Sequence, residues 1–152
     1  MSRVVVSACL LGRPCRYDGA EKAHPAVQAW AKTQTSAGHE IMALCPEELG
    51  GLGTPRRPAD LRGGAGKAVL NGQAQVVDDQ GRDVTDAFLH GARLAAQHAQ
   101  GARVAVLKAR SPSCGCEQTR VEGELHPGDG VFAALLRSQG VEVSTEEQLG
   151  EH

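Results

Sequence analysis

The residues best suited to chemistry in this chain are its five cysteines, Cys9, Cys15, Cys45, Cys114 and Cys116. Thiolates are soft ligands, and soft ligands select zinc, copper(I) or iron–sulfur clusters. An odd, scattered set cannot form a complete disulfide framework. It points to metal ligands or reactive thiols in a reducing compartment. A structural zinc site usually draws on close pairs such as C-x-x-C. The sequence has none, and Cys114-Gly115-Cys116 is one residue too tight. Cysteines placed singly on separate loops suit a cluster better. Clusters are commonly held by four thiolates; with three, one iron keeps an open position for substrate.

Other candidates stand near these thiols. Glu47 lies two residues after Cys45, within reach of whatever is held there, and is a candidate general base. Ser111 and Ser113 flank Pro112 just before Cys114, as reactive hydroxyls or as turn formers. Lys108 ends an apolar run and could neutralise an anionic cluster or bind a substrate oxygen. Arg56 and Arg57 could grip an anion, although loop arginines are usually solvated. The histidines lack ligand spacing, since His39-Glu40 has no second His four residues on. Gly64-Ala65-Gly66-Lys67-Ala68 lacks the spacing and the Ser/Thr of a phosphate loop.

The elements that must position these residues follow from pattern. The 152 residues are about one domain, expected to span 1–152. Apolar content of 41% and charged content of 22% are those of an ordinary globular chain. Aromatics at 3% leave little for stacking single-stranded nucleic acid. A net charge of −2 gives no basic field for nucleic acid or membrane, so neither is expected as a partner. Val4-Val5-Val6 is too short an apolar stretch for a lipoprotein signal ending at Cys9, and a cytoplasmic protein is expected.

Val4-Val5-Val6 reads as a strand buried on both faces, hence in a parallel sheet. A helix is expected over Pro25 to Ala37, with Val27, Trp30 and Ala31 on one face and Gly38 as its stop. His39 to Leu44 and Arg103 to Leu107 read as further strands. The Pro- and Gly-rich stretch from Cys45 to Gly66 reads as a functional loop with no element of its own. Ala68-Val69-Leu70, Asn71-Gly72 and Ala74 to Val77 read as a hairpin. Thr85 is the expected cap of a helix to about Gln100, with Phe88, Ala92, Ala95 and Ala96 inward. Gly130 to Ser138 is a helix and Val141-Glu142-Val143 a last strand. The expected fold is a three-layer, Rossmann-like α/β sandwich with a mainly parallel sheet and a β-hairpin. Cys9, Cys45 and Cys114 each follow a strand. In such sheets ligands bind beyond the carboxyl ends of the strands, so the three thiols should converge.

Five stretches stand in order: Val6-Ser7-Ala8-Cys9-Leu10-Leu11-Gly12; Cys15-Arg16-Tyr17-Asp18-Gly19; Cys45-Pro46-Glu47 with Gly50-Gly51-Leu52 and Pro55-Arg56; Leu107 to Gly115; and Gly128-Asp129-Gly130-Val131. Together they resemble the thiouracil desulfurase-like family, formerly a domain of unknown function, over nearly the whole chain. The resemblance implies a small cytoplasmic bacterial enzyme that removes sulfur from thiouracil without redox change, using a [4Fe–4S] cluster on three cysteines. It implies Cys9, Cys45 and Cys114 as ligands, with Cys15 as an alternative third ligand or a redox neighbour. Glu47 matches the assisting carboxylate, and Ser111 and Ser113 the hydroxyls. The chain departs from the pattern at Gln118 to His126, which is short, at Asp60, where Glu is commoner, and in its extra Cys116. The competing readings are a non-catalytic metal-binding or sulfur-carrying module, with zinc in place of the cluster, and, last, a thiol redox protein.

Overall fold

The computed structural model describes residues 3–14, 23–54 and 56–149. Cys15 and the residues following it up to 22, and Pro55, lie outside the described residues. The first half of the chain runs through β1 (Arg3–Ser7), a 3-10 turn (Ala8–Leu11), α1 (Pro25–Ser36), β2 (Glu40–Leu44), α2 (Pro46–Leu49), β3 (Ala59–Arg62), α3 (Gly66–Leu70) and β4 (Gln75–Asp78). The second half comprises α4 (Thr85–His98), β5 (Ala102–Leu107), β6 (Gln118–Val121), β7 (Glu124–Pro127), α5 (Val131–Ser138), β8 (Glu142–Thr145) and α6 (Glu146–Leu149).

Four strands form a fully parallel sheet in the order β2-β1-β5-β8. Its central strand carries the Val4-Val5-Val6 run. Val5 joins one apolar cluster with Phe88, Phe132 and Leu136, while Val4 and Val6 join another with Val27 and Leu10. The sheet is therefore covered on both faces, by α4 and α5 on one side and α1 on the other, giving the three expected layers. Phe88 and Phe132 are fully buried, each worth about 2–3 kcal/mol relative to exposure. The chain leaves β1 toward β2 on one side and later returns to β5 on the other. The switch point of the topology is thus at the end of β1, beside the end of β5.

A second, mixed sheet has the order β4-β3-β6-β7. It revises three expectations. The stretch from Cys45 to Gly66 is not featureless, because it holds α2 and β3. The hairpin at Asn71-Gly72 does not form: Gly66–Leu70 is helical, and β4 pairs antiparallel with β3. A three-residue apolar run carries no period, so Ala68-Val69-Leu70 fits helix as well as strand, and burial of Val69 in the core decides it. The tight hairpin is β6–β7, where Glu122 and Gly123 both take positive φ, at 52° and 82°, as a two-residue turn of this hand requires. Thr85 does not cap α4 with its side chain; its hydroxyl accepts from Val76 N at 2.9 Å and ties the helix to β4. None of the described helices is long and apolar enough to cross a membrane.

Candidate active site

Cys9 sits on the 3-10 turn after β1, Cys45 between β2 and α2, and Cys114 on the loop after β5. All three line one cavity of about 500 Å³ at the carboxyl ends of the parallel strands. Glu47, Ser111, Ser113 and Lys108 line the same cavity. Among the described residues, no three His, Cys, Asp or Glu side chains are grouped tightly enough for a single metal ion. The three cysteines share this cavity.

Backbone packing sets this arrangement. Helix α2, which carries Glu47, lies on α4 at two glycines. A Cβ on Gly91 would stand 1.9 Å from Pro46 O, and one on Gly50 would stand 2.1 Å from Ala87 O. No other residue fits at either position without moving α2. The Cys114 loop is held from two sides. Ser111 Oγ accepts from Ser113 N at 3.2 Å and Cys114 N at 3.0 Å, which closes the turn. The start of α5 then takes the loop carbonyls: Gly130 N donates to Gly115 O, Val131 N to Pro112 O and Phe132 N to Ser113 O, at 2.8–2.9 Å. Helix N-termini have spare N–H donors, and here the loop satisfies them.

The polar groups form a connected chain. Glu47 Oε2 accepts from Ser113 Oγ at 2.9 Å, and Ser111 Oγ lies 3.2 Å from Ser113 Oγ. Ser111 already accepts two backbone N–H bonds, so its own proton goes to Ser113. The hydroxyls therefore run from Ser111 through Ser113 to the carboxylate. Glu47 Oε1 accepts from Arg56 Nε at 3.0 Å, and Arg56 Nη2 stands 3.9 Å from Cys45 Sγ. Arg56 is also fastened to Gly53 O at 2.9 Å and Thr54 Oγ1 at 3.1 Å. This corrects the solvated-loop expectation for Arg56, whose side chain is only 7% exposed. The sequence signal was its place in the Pro55-Arg56 motif, following Cys45-Pro46-Glu47.

Lys108 lies at the cavity wall in an ion pair with Glu146 Oε2 at 3.0 Å. Glu146 Oε1 also accepts from Ala109 N at 2.7 Å. Burial pushes the Cys114 thiol up to about 12, against hydrogen bonds from Ser7 and Ser113 that lower it. Cys116 is not among the residues lining the cavity. Its thiol donates to Val143 O at 3.3 Å and accepts from Arg137 Nη2. Gly115 permits that divergence, since a Cβ there would stand 2.5 Å from Gln118 O.

Comparison with known proteins adds a second line. A family model described as 2-thiouracil desulfurase matches residues 4–148. This chain belongs to the 2-thiouracil desulfurase family. The Bacillus subtilis protein YbbK, itself uncharacterised, is 39% identical over 97% of this chain and 98% of its own length. The solved structure of the [4Fe-4S]-dependent thiouracil desulfidase TudS is 43% identical and superposes with a TM-score of 0.80, covering 99% of this chain and 95% of that one. The family match thus spans all the strands and loops that build the cavity.

Proposed function

We propose that this chain is a [4Fe–4S]-dependent desulfurase that hydrolyses a small thiocarbonyl compound such as thiouracil, without net redox change. The observation that carries the reading is that Cys9, Cys45 and Cys114 line one cavity with Glu47. Three soft donors placed singly on three loops, with no close C-x-x-C pair, fit a cluster better than zinc. Cys9, Cys45 and Cys114 would hold it. When bound, the cluster supplies a Lewis-acidic iron for the thiocarbonyl sulfur.

The chain's own residues do the rest. Glu47 takes a proton from the water that adds to the thiocarbonyl carbon. Its lone pairs are aimed by Arg56 on one oxygen and Ser113 on the other. The Ser111–Ser113 pair carries protons between Glu47 and the departing sulfur. Lys108 has three N–H donors; Ala109 O and Glu146 take two, and the third serves a substrate oxygen. The balance is one water consumed, C=S exchanged for C=O, and one hydrosulfide with one proton released; no electrons are needed. The free thiols of Cys9, Cys114 and Cys116 suit a reducing cytoplasm. Anaerobic reconstitution with iron and sulfide, followed by a sulfide-release assay on 2-thiouracil, tests the reading. A brown protein that turns over supports it; a colourless, zinc-loaded protein without turnover favours the non-catalytic module.

A further inference from the structure

We infer that Asp60 and Arg120 form the edge that reads the substrate ring, selecting a cyclic thioureide whose N–H lies between its thiocarbonyl and a carbonyl. This rests on the desulfurase reading above. Both residues line the cavity, and both come from the second sheet. Strands β3 and β6 are parallel there, with Leu61 beside Val121. Asp60 and Arg120 each stand one residue before that pair on their own strand. Leu61 and Val121 are buried in the core, so the strand alternation turns Asp60 and Arg120 to the opposite face together.

Opposite charges lining one cavity from neighbouring strands would ordinarily pair. Here Arg120 Nη1 donates to Gly123 O at 3.3 Å, and Asp60 has no hydrogen-bond or ion-pair partner among the described residues. The other ionic side chains at the cavity are engaged: Glu47 by Arg56, Lys108 by Glu146 and Arg110 by Glu147. Asp60 is therefore an acceptor without an internal donor. An ionised carboxylate only accepts, and a guanidinium only donates. Together at the cavity they complement a ring edge that offers N–H and then C=O. A ring N–H brought in from water must meet an acceptor or forfeit its hydrogen bond, so Asp60 selects for the proton on that nitrogen.

The test uses the reconstituted holoenzyme with 2-thiouracil and 3-methyl-2-thiouracil, in which a methyl group replaces that proton. Wild type should prefer the unmethylated ring by at least ~10²-fold in kcat/KM. Asp60→Ala should raise KM for 2-thiouracil roughly 10- to 100-fold, leave kcat within about 3-fold, and reduce the preference to a few-fold. Asp60→Asn preserves shape and guards against a folding defect; its KM should rise about 10-fold. Equilibrium dialysis of 2-thiouracil against cluster-free protein should show the same weakening without turnover. Wild-type turnover with unchanged KM and preference in both variants would overturn the edge assignment alone. A wild-type holoenzyme that releases no sulfide from either compound would remove the desulfurase reading and this one with it.

Discussion

Arg56 Nε stands 3.0 Å from Glu47 Oε1, with the two side chains only 7% and 15% exposed. Such a pair is costly to break, because the survivor is left charged and unpartnered in a poorly solvated site. Arg56 also reaches Thr54, Gly53 and Cys45, so one guanidinium joins the carboxylate to a proposed ligand loop. Arg56→Ala should destabilise the protein by about 3 kcal/mol and lower kcat. Arg56→Lys should recover part of the stability but little of the rate, since an ammonium cannot fill the same fork. Chemical denaturation and steady-state kinetics on the same preparations separate the two effects.

Glu47→Gln should retain the brown colour and lose roughly 10²–10⁴-fold in kcat, the usual worth of a general base. Absorption spectra and sulfide release report the two properties independently. Loss of the cluster in this variant, with its retention in Cys9→Ser, would reverse the assignment of base and ligand.

Cys116→Ser should keep both cluster spectrum and turnover, because its thiol faces Val143 and Arg137 rather than the cavity. Cys114→Ser, two residues away, should lose both. A bleached Cys116→Ser would mean that protein thiolates close the iron and leave no position for substrate.

The Cys114 thiol makes stability depend on pH. Burial raises it from an ordinary 9.0 to about 12 in the folded chain. Between those values the unfolded chain has released this proton and the folded chain has kept it. The unfolded state then binds fewer protons, and stability falls as pH rises. Cluster-free protein should therefore weaken from about pH 9 upward, and Cys114→Ser should weaken less steeply. Urea titrations at pH 8 and 10 would measure it. Cluster assembly must expel the same proton, so reconstitution should improve as pH rises through the neutral range.

Much of the fold was legible because its signals are local. Val4-Val5-Val6 does not alternate, which marks a strand covered on both faces. The apolar spacing from Phe88 to Ala96 marks the inner face of α4. The convergence of Cys9, Cys45 and Cys114 followed from one topological rule applied to three strand ends. The second sheet was obscure for the opposite reason. β3 has a single fully buried apolar residue, Leu61, and its partners come from distant parts of the chain. Arg56 was misread because its burial depends on Glu47 across a Pro- and Gly-rich turn, which no periodicity reports. Asp60 drew notice only as a departure from a family pattern; its proposed role rests on lining the cavity with Arg120.

The grip of α5 on the Cys114 loop also bears on the order of biosynthesis. Pro112, Ser113 and Gly115 are held by residues 130–132, and a Cβ on Gly66 would meet Gly130 O at 2.4 Å. Chains emerge N-terminus first, at about 5–20 residues per second. Cys9 and Cys45 thus leave the ribosome well before the helix that sets the third thiol exists. The proposed three-cysteine site would be complete only once residues 130–132 have been made, so cluster delivery would follow their synthesis.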